Sequence, residues 1–257
     1  MTTTTQPHPL IRERNLILGL LLILAAAAWG VLIWQSQMID DEEMGLTMGM
    51  STPLFIALWA VMMVAIMFPT AAPMILTFQR VQANRQQAQQ SFVPTWLFVS
   101  SYIVLWSATG LLAYGVALLA DDLADGSMWL MDNAARFGGA VLIAAGIYQL
   151  TPLKTKCLSK CRTPMSFILT SWRDGSLGAV RMGLAHGTYC LGCCWLLFVI
   201  LFPLGIMNVA AMAGVTLLIF AEKSLAIGPW VARAAAVALI VYGVVVIFSP
   251  DALPTMI

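Results

Sequence analysis

The stretch His186-Gly187-Thr188-Tyr189-Cys190-Leu191-Gly192-Cys193-Cys194-Trp195, continuing as Leu196-Leu197-Phe198-Val199-Ile200-Leu201-Phe202, decides the reading of this chain. It gathers three of the five cysteines and one of the two histidines, then runs without a break into apolar sequence. A membrane helix needs roughly 20 apolar residues. The segment at 183–203 supplies them, so the ligand-type side chains fall inside a span. On a helix, residues three and four apart share a face. His186, Cys190 and Cys193 therefore form one stripe, with Cys194 at its edge. Imidazole and thiolate are ligands of soft and borderline metals. Polar groups are costly in hydrocarbon, which makes such a stripe a functional signal.

Outward from this stretch the same character continues. Of 257 residues, 60% are hydrophobic and only 10% charged, whereas a soluble domain carries about 25% charged residues. The expected fold is an all-α, polytopic transmembrane bundle. Seven segments are apolar enough to be spans: about 15–35, 53–78, 93–120, 134–153, 183–203, 206–227 and 229–249. The first has a small-residue run at Ala25, Ala26, Ala27 and Ala28, but its apolar character continues through Trp29 and Trp34. It reads as an uncleaved anchor rather than a signal peptide.

Basic residues orient the bundle. Arg12 and Arg14, then Arg80 and Arg85, then Lys154, Lys156, Lys160, Arg162, Arg173 and Arg181, then Lys223 and Arg233 all fall on one side of a seven-span arrangement. The other side collects Asp40, Asp41, Glu42 and Glu43, then Asp121, Asp122, Asp125 and Asp132, with Arg136 the exception. The N-terminus is expected in the cytoplasm, the C-terminus outside, and a bacterial inner (plasma) membrane is the expected location. The chain divides into a cytoplasmic tail at 1–14, a membrane domain at 15–250 with a cytoplasmic loop at about 154–182, and a tail at 251–257. Phe167, Ile168, Leu169 and Trp172 in that loop predict a short helix at the interface. The lipid bilayer is the first partner. No basic stripe with interleaved aromatics occurs, so no nucleic-acid partner is expected.

Three further groups can carry chemistry. Cys157 and Cys161 are spaced i, i+4 beside Lys156, Lys160 and Arg162, and positive neighbours lower a thiol pKa. Met63, Met67 and Met74 share a face of span two, where Pro69 and Pro73 remove backbone donors and kink the helix. Thioether suits Cu(I), although such a stripe is also ordinary core packing. Met38, Met44, Met48 and Met50 lie among the acids of the first outer loop, as a copper-capturing segment or a plain solvated one. Finally, Glu222 and Lys223 close span six. Either the two snorkel to the interface, or Glu222 is a ligand or hydrogen-bonded partner of His186.

The stripe has its own geometric limit. His186 and Cys193 are about 10 Å apart along a helix, at ~1.5 Å per residue. One tetrahedral ion cannot bridge both. The stripe is one site with spare residues, or a ladder of sites along which Met63, Met67 and Met74 face the cysteines.

In four blocks the chain resembles the DUF2182 family of predicted metal-binding integral membrane proteins. These are Met62-Met63 with Met67-Phe68-Pro69-Thr70-Ala71-Ala72-Pro73-Met74; Tyr148-Gln149-Leu150-Thr151-Pro152-Leu153-Lys154 with Cys157 and Cys161-Arg162; the His186 to Trp195 stretch; and Glu222-Lys223. The resemblance implies a helical membrane protein with a metal site, and leaves the metal open. Ligand softness favours Cu(I), with Zn as a structural clamp the alternative. The leading function is Cu(I) handling: transport, trafficking, or delivery to a partner protein in the membrane. A membrane thiol-disulfide oxidoreductase, or a structural subunit with a bracing metal, is the competing reading. No phosphate-binding, hydrolase or H-E-x-x-H motif occurs, so a primary ATPase or a hydrolase is not expected.

Overall fold

The computed structural model describes residues 9–38, 46–47, 49–90 and 92–254. His8 and the outer-loop residues Asp40, Asp41, Glu42, Glu43, Met44 and Met48 lie outside the described residues, so the copper-capturing reading of that loop does too. The described chain is helical throughout: α1 (Pro9–Ser36), α2 (Thr52–Gln87), α3 (Thr95–Asp125), α4 (Met128–Gln149), α5 (Pro152–Arg162), α6 (Pro164–Ser171), α7 (Gly175–Val199), α8 (Leu201–Leu204), α9 (Val209–Ser224) and α10 (Gly228–Phe248). Six helices are long and apolar enough to cross a membrane: α1, α2, α3, α4, α7 continued by α8, and α10.

The segment expected as span six at 206–227 is helical over only 16 residues, as α9. At ~1.5 Å per residue it is about 24 Å long, short of the ~30 Å hydrocarbon core. Its bounds have local causes. Asn208 caps its start by accepting from the Ala211 N–H at 3.0 Å, the usual role of Asn at that position. Gly205, at φ +91°, makes the preceding turn. At the far end, the chain breaks after Ser224 and restarts at Gly228-Pro229.

The helices differ in length, and the difference positions the site. At ~1.5 Å per residue, α2 with 36 residues and α3 with 31 reach about 54 and 46 Å. α4 and α10, with 22 and 21, reach about 33 and 31 Å. α1 packs along α2, α2 along α3, and α3 along α7, while α4 pairs with α10. α5 packs on α7 and also touches α9. The short helix expected near Phe167 is α6, with Phe167 and Ile168 buried. α2 runs continuously through Pro69 and Pro73. The outward faces are apolar: Leu20, Ile23 and Leu24 on α1, Leu112, Val116 and Leu119 on α3, and Val237 and Val241 on α10 are all exposed. Such faces need lipid around them.

Why α5 starts where it does is written in Gln149-Leu150-Thr151-Pro152. Thr151 caps the new helix through the Lys154 N–H at 3.3 Å, and Pro152 at the first position needs no donor. The chain therefore leaves span four, turns, and re-enters a helix that is polar rather than apolar.

Candidate metal centre

α7 is drawn hard against α3. A Cβ built on Gly183 would lie 2.4 Å from the Phe98 carbonyl oxygen and 2.0 Å from Ser101 Oγ, so only glycine admits this approach. Close contact through small residues is a common device between membrane helices. One consequence is that Tyr102, the next residue on α3, reaches a point about two helical turns further along α7. Its hydroxyl lies 3.0 Å from Cys190 Sγ. Tyr102 and Cys190 are each 1% exposed.

Cys190 is the hub of the site. The sulfurs of Cys161, Cys190 and Cys193 all lie within 4.8 Å of one another. Met67 Sδ on α2 is 3.9 Å from Cys190 Sγ, and Lys223 Nζ on α9 donates to that sulfur at 3.0 Å. Thr70 Oγ1 lies 3.8 Å from Met67 Sδ. Five elements, α2, α3, α5, α7 and α9, thus meet at one sulfur. Cys193 and Cys194 also donate to the Cys190 carbonyl, at 3.0 and 2.9 Å.

Cys161 comes from α5, and what places α5 is Glu222. The Glu222 carboxylate accepts from Lys154 Nζ at 2.7 Å and from Gln149 Nε2 at 3.0 Å. The Glu222 main-chain carbonyl accepts from the Arg162 guanidinium. One residue of α9 therefore grips both ends of α5. All members of the ion pair are buried: Glu222 and Lys154 are each 1% exposed. Breaking such a pair leaves an uncompensated buried charge, so the clamp fixes α5, and with it Cys161, against the thiols.

The structure sorts the residues expected from sequence. It brings Cys161, Cys190, Cys193 and Met67 together. Cys194 is buried beside them and, like Cys193, donates to the Cys190 carbonyl, but it falls outside the three-sulfur group. Met63 and Met74 are buried on α2, one and two turns either side of Met67. The Glu222 carboxylate is engaged by Lys154 and Gln149. Neither Glu222 nor Lys223 snorkels. His186 stands one turn from Cys190, its ring stacked on Tyr102 and Phe98 and tilted against Phe167. Its Nδ1 is buried with no hydrogen-bond partner. Cys157 lies against Gly192, and a Cβ there would come within 2.7 Å of its sulfur. The flanking lysines do not lower its pKa as the sequence predicts: burial, then the charge of Cys193, pushes the Cys157 thiol up.

Two residues of the site were not singled out from sequence. Tyr102 sits in the polar run Ser100-Ser101-Tyr102 inside an otherwise apolar span, which was its signal. Lys154 was read as one loop charge among several, and nothing local tells a buried lysine from an exposed one.

What the sulfurs can do follows from their spacing. Three thiolates bonded to one ion at ~2.3 Å in a plane lie about 4 Å apart, which the observed cluster satisfies. A thioether in reach adds a soft donor of the kind that suits Cu(I). Lys223 supplies a buried positive charge whose hydrogen-bonded acceptor is a sulfur, so the pair is complete when Cys190 is a thiolate.

The fold and site define an all-α, membrane-type bundle with a buried sulfur cluster able to hold a soft metal. Residues 56–246 match the PpoB2 family, described as a copper chaperone. That range takes in the thiols, Met67, Tyr102 and the clamp, and it is well over half of the chain, which belongs to this family. No curated protein and no solved structure matches the chain.

Proposed function

We propose that this protein is an integral membrane Cu(I) carrier that holds one ion on Cys161, Cys190 and Cys193, with Met67 beside them, and releases it to a partner protein. The single observation that supports this reading is the three sulfurs within 4.8 Å of one another, with a thioether 3.9 Å from the central one. Zn prefers four tetrahedral ligands, typically thiolate and imidazole, whereas a low-coordinate sulfur set with a thioether suits Cu(I). His186, with an orphaned ring nitrogen one turn away, offers the next soft donor along the stripe for the ion to step to. Cys194, Met63 and Met74 then serve as packing around the site.

The membrane arrangement belongs to the same proposal. The distribution of basic residues supports a reading in which α5 and the thiols lie at the cytoplasmic face of a bacterial inner membrane, with the N-terminus inside. In this reading α9, 16 residues long, makes the remaining crossing together with the turns that flank it. Reporter fusions after residues 85 and 165 then read inside, and a fusion at the C-terminus reads outside.

The test is anaerobic titration of the purified, reduced protein in detergent with Cu(I) against a colorimetric chelator. Wild type is expected to take one ion per chain and Cys190→Ser none that survives the competition. A wild-type chain that takes no copper, or a Cys190→Ser variant that takes as much as wild type, rules the site out.

A further inference from the structure

We infer that Cys157 is the receiving thiol of this site, and that the donor it meets is a small, anionic Cu(I)–thiolate complex. The inference rests on the copper reading above. The residues of the buried cluster are closed to an incoming complex: Cys190 and Cys193 are each 1% exposed and Cys161 9%. Cys157 alone among the five free thiols is partly open. It sits one turn before Cys161 on α5, so the two share a face of that helix. The missing side chain at Gly192 lets its sulfur lie directly on α7, next in sequence to Cys193. Cys157 is thus a step between the outside and the buried set.

The surroundings say what comes to it. Thr155, Lys156 and Ser159 are exposed, so this part of α5 opens to water rather than lipid. Lys156 and Lys160 stand at i−1 and i+3 of Cys157. The ion pairs among the described residues are Arg85 with Asp174 and Lys154 with Glu222, which leaves these two ammonium groups without a carboxylate. A half-open thiol rimmed by unpaired positive charge draws anions, and such steering raises association rates by roughly 10-fold or more. Cys157 is only partly open, which fits a small complex.

The transfer balances without a redox step. The Cys157 sulfur bonds to Cu(I) as the donor's sulfur–copper bond breaks, and the Cys157 proton leaves with the departing donor thiol. Copper stays monovalent. A second exchange passes the ion to the buried sulfurs and returns a proton to Cys157.

The experiment is stopped-flow uptake by the full chain in detergent, with Cu(I) presented either on excess glutathione, whose complex is strongly anionic, or on excess dithiothreitol, whose complex carries much less negative charge. Cys157→Ser should slow uptake from both donors by about 10-fold or more while the final copper content stays that of wild type. Lys156→Gln with Lys160→Gln should slow uptake from glutathione by about 10-fold and from dithiothreitol much less, and high salt should erase that difference by screening. Unchanged uptake in Cys157→Ser overturns the proposal, and so does loss of final copper content, which would make Cys157 a resident ligand. An equal effect of the lysine changes on both donors overturns the anionic-donor assignment. Wild type taking no copper from either donor points instead to failure of the copper reading itself.

Discussion

Glu222 and Lys223 are neighbours on α9 and both are buried, yet they serve two different regions. Glu222 belongs to an ionic clamp in which carboxylate and carbonyl are engaged by Lys154, Gln149 and Arg162. Lys223 belongs to the sulfur cluster, where its ammonium faces Cys190. In the clamp, charge meets charge and both carboxylate oxygens already have a donor. In the cluster, soft donors surround one sulfur at distances set for an ion. The contrast separates scaffold from site: a buried ionic network holds position, and under the proposed function the sulfur cluster holds the ion.

Mutations on either side of this boundary should give opposite signatures. The largest effect is expected from Glu222→Ala. It strands Lys154 as a buried, unpaired charge, a loss of about 3–5 kcal/mol, and it frees α5. Thermal unfolding in detergent should show a strongly destabilised chain, with copper binding lost as a consequence. A Glu222→Ala protein as stable as wild type would dissolve the distinction between clamp and cluster.

Lys223→Met should do the reverse. The fold is expected to survive, because a similar-sized apolar side chain replaces a buried cation, while Cu(I) affinity falls by about 10–100-fold, the usual cost of removing a group that orients a metal ligand. Tyr102→Phe should fall in the same range, since it removes the hydroxyl at Cys190 and leaves the ring stack on His186. If either variant unfolds the chain before it weakens copper, the residue is scaffold and the boundary has to be redrawn.

Met67→Leu is the mildest change. The swap conserves volume and costs less than ~1.5 kcal/mol in a core. Copper should still bind to the three thiols, with faster release to a chelator because the thioether is gone. Met63→Leu and Met74→Leu, a turn or more away, should leave release unchanged. Equal effects of all three would favour the methionine ladder over a single thioether at the site.

Much of the fold was legible in the sequence, because apolar length is a direct signal of a spanning helix. The exception is α9, where the apolar run at 206–227 is longer than the helix it forms. Gly205 and Asn208 cut one end and the Ser224 to Gly228 turn the other, and hydropathy does not register either. The α7 stripe was legible for the same periodic reason, and so was the approach of the Cys157–Cys161 segment, since one short connection joins it to the site. The partition between Glu222 and Lys223 was not. Both sit at a helix end, and which of them turns to the thiols depends on α5 folding back with Lys154, a tertiary event with no local sequence signature.

The central claim is that sulfur from three helices, α5 and α7 with α2 alongside, holds one copper ion. X-ray absorption at the copper edge of the Cu(I)-loaded, purified protein tests it most directly. The account predicts monovalent copper in an all-sulfur shell, three-coordinate, with one sulfur lost in Cys161→Ser. A shell dominated by nitrogen or oxygen, or one that Cys161→Ser leaves unchanged, would contradict it.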